Sequence, residues 1–98
     1  MQKNPLLLLG LAKKAGMIKS GEDAILQGLQ KREVKYVFIA KDASPKTIDK
    51  FERKCYFYKV TCCMDYTAEE LSSAIGQWRK CIAVIDQGFA EAFLKYKR

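Results

Sequence analysis

Two aspartates stand just after apolar runs, at positions where side chains can do chemistry. Asp42 follows residues 36–40, and Asp86 follows residues 81–85. A pair of carboxylates there could hold a magnesium ion or carry out acid–base chemistry. Aspartate after a strand also suits a turn or a helix cap, and we favour this second interpretation. The chain has no histidine and none of the common nucleotide-binding or nucleophile motifs, so we predict no catalysis and keep a magnesium-assisted enzyme as an alternative.

The only tryptophan, Trp78, stands beside Arg79 in a segment that we expect to be a loop. An aromatic ring can stack on an unpaired base, and an arginine can bind phosphate, so the pair is typical of a nucleic-acid contact. A partly buried position at the rim of the core is an equally simple interpretation of Trp78. The same loop could instead serve a protein partner, which makes a protein-interaction module a second alternative.

The charge of the chain narrows the class of partner. Lysine and arginine number 18 against 11 acidic residues among 98, which gives a net charge of +7 and a pI near 9.3. A small basic domain favours a polyanionic partner such as nucleic acid over a merely soluble role. The length predicts one domain over residues 1–98, large enough to fold without disulfides or a metal.

The apolar runs and the cysteines indicate the compartment. The run at residues 6–9 is far shorter than the ~20 residues that span a bilayer, so we expect no membrane segment, no signal peptide and a cytoplasmic protein. The four cysteines show no Cys-x-x-Cys spacing, and we expect buried thiols with no metal and no cofactor. They are Cys55, Cys62, Cys63 and Cys81.

The elements that must position these residues are organised around residues 36–40, a continuous run of β-branched, aromatic and small apolar side chains. Such a run predicts a strand buried on both faces, at the centre of a sheet. Ser44 and Pro45 then indicate a helix start. Loops at the carboxyl ends of strands often hold ligands, so residues 41–44 are the first candidate site.

Helices and strands alternate along the rest of the chain, which predicts a three-layer α/β/α sandwich. Asn4 opens the first helix, Ser20 is expected to cap the second, and Thr67 and Glu70 form a capping box. The helical spacing in the first helix predicts that one face is mostly in the core. That face holds Leu7, Leu8, Leu11, Ala12 and Ala15.

Five short motifs follow one another along nearly the whole chain. They lie at residues 9–16 (Leu-Gly-Leu-Ala-Lys-Lys-Ala-Gly), 20–24 (Ser-Gly-Glu-Asp-Ala), 39–45 (Ile-Ala-Lys-Asp-Ala-Ser-Pro), 71–76 and 83–88. Each motif is weak alone. In this order and spacing the sequence resembles the kink-turn RNA-binding family of ribosomal proteins L7Ae and L30e, most closely its small bacterial YlxQ-type members.

This resemblance implies a small mixed four-stranded sheet within the sandwich and three segments that grip a sharply bent RNA helix. The start of the second helix would enter the major groove at tandem G·A pairs, and the loop after the central strand would make a second contact. The loop before the last strand would cover an extruded base and its backbone. The candidate RNA-binding residues are Lys19, Gly21, Glu22, Asp23, Gln27, Ser44, Ile48, Gln77, Trp78, Arg79 and Ile82.

The chain departs from the family at the second helix. The family pattern is Gly-x-Asn-Glu-x-x-Lys, where this chain has Asp23, Ala24 and Gln27. An ionised Asp23 offers a base only hydrogen-bond acceptors, and Ala24 offers none. From the residues and the resemblance together we expect a monomeric, non-catalytic protein that binds structured RNA, most simply ribosomal RNA.

Overall fold

The computed structural model of the protein describes residues 4–96. In this part of the chain five helices alternate with four strands. The helices are α1 (Pro5–Lys14), α2 (Glu22–Gln30), α3 (Pro45–Tyr58), α4 (Ala68–Ile75) and α5 (Gln87–Leu94). The strands are β1 (Ile18–Ser20), β2 (Tyr36–Ile39), β3 (Thr61–Cys63) and β4 (Cys81–Val84).

The strands form one mixed sheet in the order β1-β4-β2-β3. Strands β2 and β3 are parallel, whereas β4 runs antiparallel to both of its neighbours, β1 and β2. All residues of β2 and β4 are buried, which confirms the prediction of a central strand buried on both faces. The α/β class and the small mixed four-stranded sheet are confirmed as well.

The helices cover both faces of the sheet and make the three predicted layers. Side chains of α1, α4 and α5 pack on one face, and those of α2 and α3 pack on the other. The first cluster includes Leu9, Leu71 and Phe93, and the second includes Ile25, Leu29 and Phe51. Within residues 4–96, none of the helices has both the length and the apolar character that crossing a bilayer requires.

The predicted caps are present at four helix starts. The side chains of Asn4 and Ser44 accept hydrogen bonds from backbone N–H groups in the first turns of α1 and α3, at 2.9 Å and 3.2 Å. Thr67 and Glu70 make the reciprocal bonds of a capping box, and Asp86 caps α5. Each cap satisfies backbone groups that a helix leaves without an internal partner, which is why short segments such as α4 start where they do.

The prediction for the buried face of α1 was wrong at three of its five positions. Leu7 is 70% exposed, Leu11 is 57% exposed and Ala15 is also exposed, whereas the buried residues are Leu9 and Ala12. Because residues 6–9 are all leucine, their spacing does not define a single apolar side. The side is set by packing against α4, where a Cβ at position 10 would lie 3.1 Å from a backbone oxygen of that helix.

Ser20 does not cap the second helix, which corrects a further prediction. It is the last residue of β1, where it pairs with Ile82. Gly21 takes the cap position instead, with a φ of +93° that residues other than glycine rarely adopt. The Ser20 hydroxyl accepts a hydrogen bond from Arg79.

Candidate nucleic-acid interface

Three chain connections meet at one end of the sheet, where strands start or finish; we refer to each such end as an edge. Strands β1 and β2 end at this edge, and the antiparallel β4 begins there, so the segments after β1, after β2 and before β4 are neighbours. Ala40 N–H donates to the Lys80 carbonyl oxygen at 2.8 Å, and Arg79 Nε donates to Ser20 Oγ at 3.0 Å. We call this surface the candidate edge. It comprises residues 20–27, 40–48 and 77–80.

The start of α2 places polar side chains on the candidate edge. Glu22 Oε1 accepts a hydrogen bond from Lys50 Nζ at 2.7 Å, which ties the start of α2 to α3. Asp23 and Gln27 are both exposed and lie one helical turn apart, so they share a face of the helix. Gly21 contributes no side chain, which lets another molecule approach the backbone at the first turn.

Residues 77–80 form a loop held by Ser72, a buried residue of α4 that the sequence analysis did not single out. The Ser72 hydroxyl donates to the Arg79 carbonyl oxygen at 3.1 Å and accepts from the Arg79 N–H at 2.8 Å. Gly76 ends α4 in the left-handed conformation, and the Gln77 N–H bonds back to the Ser72 carbonyl oxygen. A serine inside an apolar helix face is the signal that could have pointed to this anchor.

Trp78 stands on this anchored loop with 61% of its surface exposed. Tryptophan is enriched at protein interfaces, and an exposed aromatic ring can stack on an unpaired base. Arg79 lies beside it, and its guanidinium donates from Nη1 to the Trp78 carbonyl oxygen at 2.8 Å as well as from Nε to Ser20. These bonds use two of the five N–H donors of a guanidinium group, so Arg79 can keep its position and still bind an anion.

The loop after β2 completes the candidate edge. Ser44 is exposed, and its hydroxyl caps α3 while donating to Thr47 Oγ1 at 3.0 Å. Ile48, one turn further, is half-buried between the two core clusters. The edge carries the cations Lys41, Lys46, Arg79 and Lys80 and the carboxylates Glu22, Asp23 and Asp42. Its charge is therefore nearly balanced, although the whole chain is strongly basic.

Two of the predicted site residues lie away from this surface. Ile82 is completely buried in β4 and packs in the cluster under α1, α4 and α5, so its side chain cannot reach a partner. Lys19 pairs with Glu33 at 3.4 Å, and its side chain would contact a Cβ at Gly28, in the second half of α2. A continuous apolar strand cannot expose Ile82, and the alternation of β1 turns Lys19 toward the far half of the helix.

Comparison with known proteins shows which protein family the chain belongs to. The model of the Ribosomal protein L7Ae/L30e/S12e/Gadd45 family matches residues 6–94. The chain belongs to this family. The match spans every strand and helix of the sandwich except the first residue of α1, and it includes all three segments of the candidate edge.

Two curated relatives in the L7Ae/L30e family are bacterial. The chain is 36% identical over 84 residues to the RNA-binding protein YlxQ of Enterococcus faecium, a match that covers 86% of this chain and 82% of that protein. It is 38% identical over 88 residues to the RNA-binding protein YlxQ of Bacillus subtilis (strain 168), covering 89% and 88%. The prediction of a YlxQ-type member of this family is confirmed.

Solved structures agree with this fold. A protein of unknown function from Bacillus halodurans C superposes with a TM-score of 0.91 at 30% identity and 96% coverage of both chains. The Giardia lamblia 15.5kD RNA binding protein superposes with a TM-score of 0.82, covering 93% of this chain and 82% of that one. At 16% identity the second likeness concerns the fold alone.

The enzyme alternative is not supported in this L7Ae/L30e-family chain. Because β4 is antiparallel to β2, Asp42 and Asp86 lie at opposite edges of the sheet. Asp42 Oδ1 accepts from Ala68 N–H at 2.9 Å and Asp86 Oδ2 from Phe89 N–H at 2.9 Å, so both carboxylates cap helices. No cluster of three or more metal-ligating side chains occurs among residues 4–96. The family description and the names of both relatives denote ribosomal and RNA-binding proteins and not enzymes.

The cysteine thiols are core groups, as predicted. Cys55, Cys63 and Cys81 are buried and Cys62 is half-buried. Burial raises the pKa of Cys81 to about 11, and a hydrogen bond with Cys62 together with burial raises the pKa of Cys55. Both groups therefore stay protonated at neutral pH, which makes them poor nucleophiles and poor metal ligands.

The Ser72 anchor can be tested by replacement with alanine. Ser72→Ala removes two hydrogen bonds to the Arg79 backbone and leaves the part-buried Arg79 amide without its partner, which costs roughly 1–3 kcal/mol. We expect the free energy of unfolding in urea to fall by that amount. Ser73→Ala, at the exposed neighbouring position, is the matched control and should change it by less than ~0.5 kcal/mol. Equal effects of the two changes would contradict a specific role of Ser72.

Proposed function

We propose that the whole chain is one non-catalytic RNA-binding domain that recognises a kinked RNA helix through the candidate edge. The observation that carries the proposal is an exposed tryptophan beside an arginine, on a loop that Ser72 and Ser20 fix next to the start of α2. The family description, which names ribosomal proteins, and the names of the two YlxQ relatives support RNA as the partner.

In this proposal the start of α2 lies in the major groove at the kink. Gly21 allows close approach to the RNA backbone, while Asp23 and Gln27 face the base edges from adjacent turns. Glu22 positions the helix through its bond to Lys50, and this bond also neutralises one carboxylate next to the RNA. A regular A-form major groove is too narrow for side chains, so this contact requires a distorted helix.

The loop before β4 makes the second part of the contact. Trp78 stacks on an unpaired base at the kink, and Arg79 binds an adjacent phosphate with the donors that Ser20 and Trp78 leave unused. Gln77 and Ser44 flank this pair on exposed loop positions. Lys41, Lys46 and Lys80 add cations along the path of the RNA backbone.

The partner in this proposal is a structured ribosomal RNA, bound by a monomer in the cytoplasm. Crosslinking in cells that express the protein, followed by sequencing of the bound RNA, tests this directly. The proposal predicts enrichment of one or a few RNA segments with an internal loop that contains tandem G·A pairs. Recovery of no RNA above that from an uncrosslinked control would contradict it and favour a protein-interaction module.

Binding of a kinked RNA should weaken with salt. The four cations of the candidate edge would displace counterions from phosphates, and each displaced counterion contributes a slope of about −0.9 to a plot of log K against log salt. The carboxylates there lower the total, so we expect a slope of about −2 to −3. Fluorescence anisotropy between ~50 and ~300 mM KCl measures it. A flat plot would contradict the electrostatic part of the proposal.

A further inference from the structure

The edge of the sheet opposite the candidate edge carries a groove of aromatic and basic side chains. Helix α3 starts at the candidate edge and its 14 residues run ~21 Å to the other end of the sheet. There the groove lies between the end of α3 and the start of β3. Its lining includes Arg53, Tyr56, Phe57, Lys59, Val60 and Thr61, and we call it the far groove.

The aromatic side chains of the far groove stand out in the solvent. Tyr56 is 88% exposed and Phe57 is 70% exposed, and neither belongs to a core cluster. The Phe57 ring meets the half-buried Tyr58 ring edge to face at 4.9 Å between centroids. That contact holds the Phe57 ring in place while leaving most of its surface available to a partner.

The groove continues past β3 toward the start of β2. Lys59, Val60 and Thr61 also line a second depression, which reaches Arg32 and Lys35. The Arg32 guanidinium lies 5.3 Å from the centre of the Tyr58 ring, on the same path. Aromatic rings and cations thus line two depressions that share three residues.

This end of the sheet carries more cations than carboxylates. The cations there are Lys31, Arg32, Lys35, Arg53, Lys54 and Lys59, and the carboxylates at this end are Glu33, Asp49, Glu52 and Asp86. Two of these carboxylates are already paired, Glu33 with Lys19 at 3.4 Å and Asp49 with Arg53 at 3.1 Å. Among the described residues, Arg53 is the one of these six cations that forms an ion pair, so the other five are available to an anionic partner around the far groove.

We infer that the far groove binds an unpaired RNA strand, so that one chain holds two segments of RNA at opposite ends. The inference rests on the proposed function for its choice of RNA. Rings that stack on bases, flanked by cations that follow the backbone, are what strand binding without sequence preference requires. Tyrosine, phenylalanine and arginine are also enriched at protein–protein interfaces, so the test below includes an acidic peptide as the competing occupant.

The probe is a single-stranded RNA of twelve uridines, whose binding is measured by fluorescence anisotropy. Stacking on an aromatic residue contributes ~1–3 kcal/mol per base, so Tyr56→Ala and Phe57→Ala should each weaken binding by about fivefold or more. Phe57→Leu should also weaken it, because leucine keeps the apolar surface but has no ring. Leu7→Ala is the matched control, since Leu7 is as exposed as Phe57 and lies on α1.

Three outcomes would overturn the inference. They are no binding of the twelve-uridine strand by the wild-type chain, equal binding by wild type and Phe57→Ala, and equally tight, Phe57-dependent binding of a poly-glutamate peptide of the same length. The last result would assign the groove to acidic peptides.

A parallel titration of the wild-type chain separates this inference from the proposed function. Its probe is a kinked RNA duplex with blunt ends, which offers no free strand. Binding of the duplex without binding of the uridine strand would overturn the inference about the far groove and leave the proposed function standing. Phe57-dependent binding of the uridine strand without binding of the duplex would support the far groove and overturn the proposed function.

Discussion

Replacing Trp78 by alanine should weaken binding of a kinked RNA by roughly 5- to 150-fold. This range corresponds to ~1–3 kcal/mol for one base stacked on an aromatic ring. The loop backbone is fixed by Ser72 and the indole is mostly exposed, so the change should leave the free energy of unfolding within ~0.5 kcal/mol of wild type. Anisotropy with a labelled kink-turn RNA at fixed salt measures the binding.

Two further variants make this result specific. Trp78→Tyr keeps an aromatic face and should recover most of the lost affinity, which a purely structural role of the indole would not predict. Leu11→Ala removes an apolar side chain of similar exposure, 57% against 61%, from α1 and should bind like wild type. If Trp78→Ala binds with wild-type affinity, the loop is not part of the interface.

Restoring the family pattern at α2 should increase selectivity for a kink-turn. In the variant Asp23→Asn, Ala24→Glu and Gln27→Lys, new polar side chains stand on a helix that the fold already positions. Each good base contact is worth ~1–3 kcal/mol of discrimination, so the variant should prefer a kink-turn over a straight duplex by at least ~10-fold more than wild type does. Asparagine is favourable near a helix start, and glutamate and lysine are good helix formers, so the fold should tolerate the changes.

Gln27→Lys alone is the matched control for charge. It raises the net charge by one, as the triple change does, so both variants gain the same non-specific attraction to RNA. A cation at phosphate carries no sequence information, and Gln27→Lys should therefore raise the affinity for both RNAs alike. If the triple variant gains no more on the kink-turn than on the length-matched duplex, α2 does not enter the groove.

Local signals in the sequence predicted most of the fold. The caps at Asn4, Ser44, Thr67 and Asp86 were predictable because a cap depends on a few adjacent residues and their hydrogen bonds. The buried strand at residues 36–39 was predictable because it is apolar on both faces. Those features need no knowledge of what lies across the sheet.

The errors concern relations between distant parts of the chain. The leucine run leaves the buried side of α1 undefined until α4 packs against it at Gly10. No local signal gives the direction of β4, and this direction separates Asp42 from Asp86 and brings Arg79 to Ser20. Ile82, which the family resemblance had suggested for the interface, is buried because β4 lies between β1 and β2 in the sheet.

The candidate site was predictable as three segments but not as a charge distribution. Net charge alone suggested an RNA surface without saying where the cations lie. The structure puts several of them at the end of α3, beside Tyr56 and Phe57, although α3 also carries Lys46 and Lys50 nearer its start.

The most direct test of the proposed site uses the fluorescence of Trp78, the only tryptophan of the chain. A blunt-ended kink-turn RNA is titrated into the wild-type protein while indole emission is recorded, and a length-matched straight duplex is titrated in parallel. A kinked RNA bound at the candidate edge should quench the emission, with saturation at one RNA per chain. The affinity obtained from this titration should be at least ~10-fold higher than that for the duplex. Saturable binding seen by anisotropy with no change in Trp78 emission, or equal affinity for the two RNAs, would contradict the account.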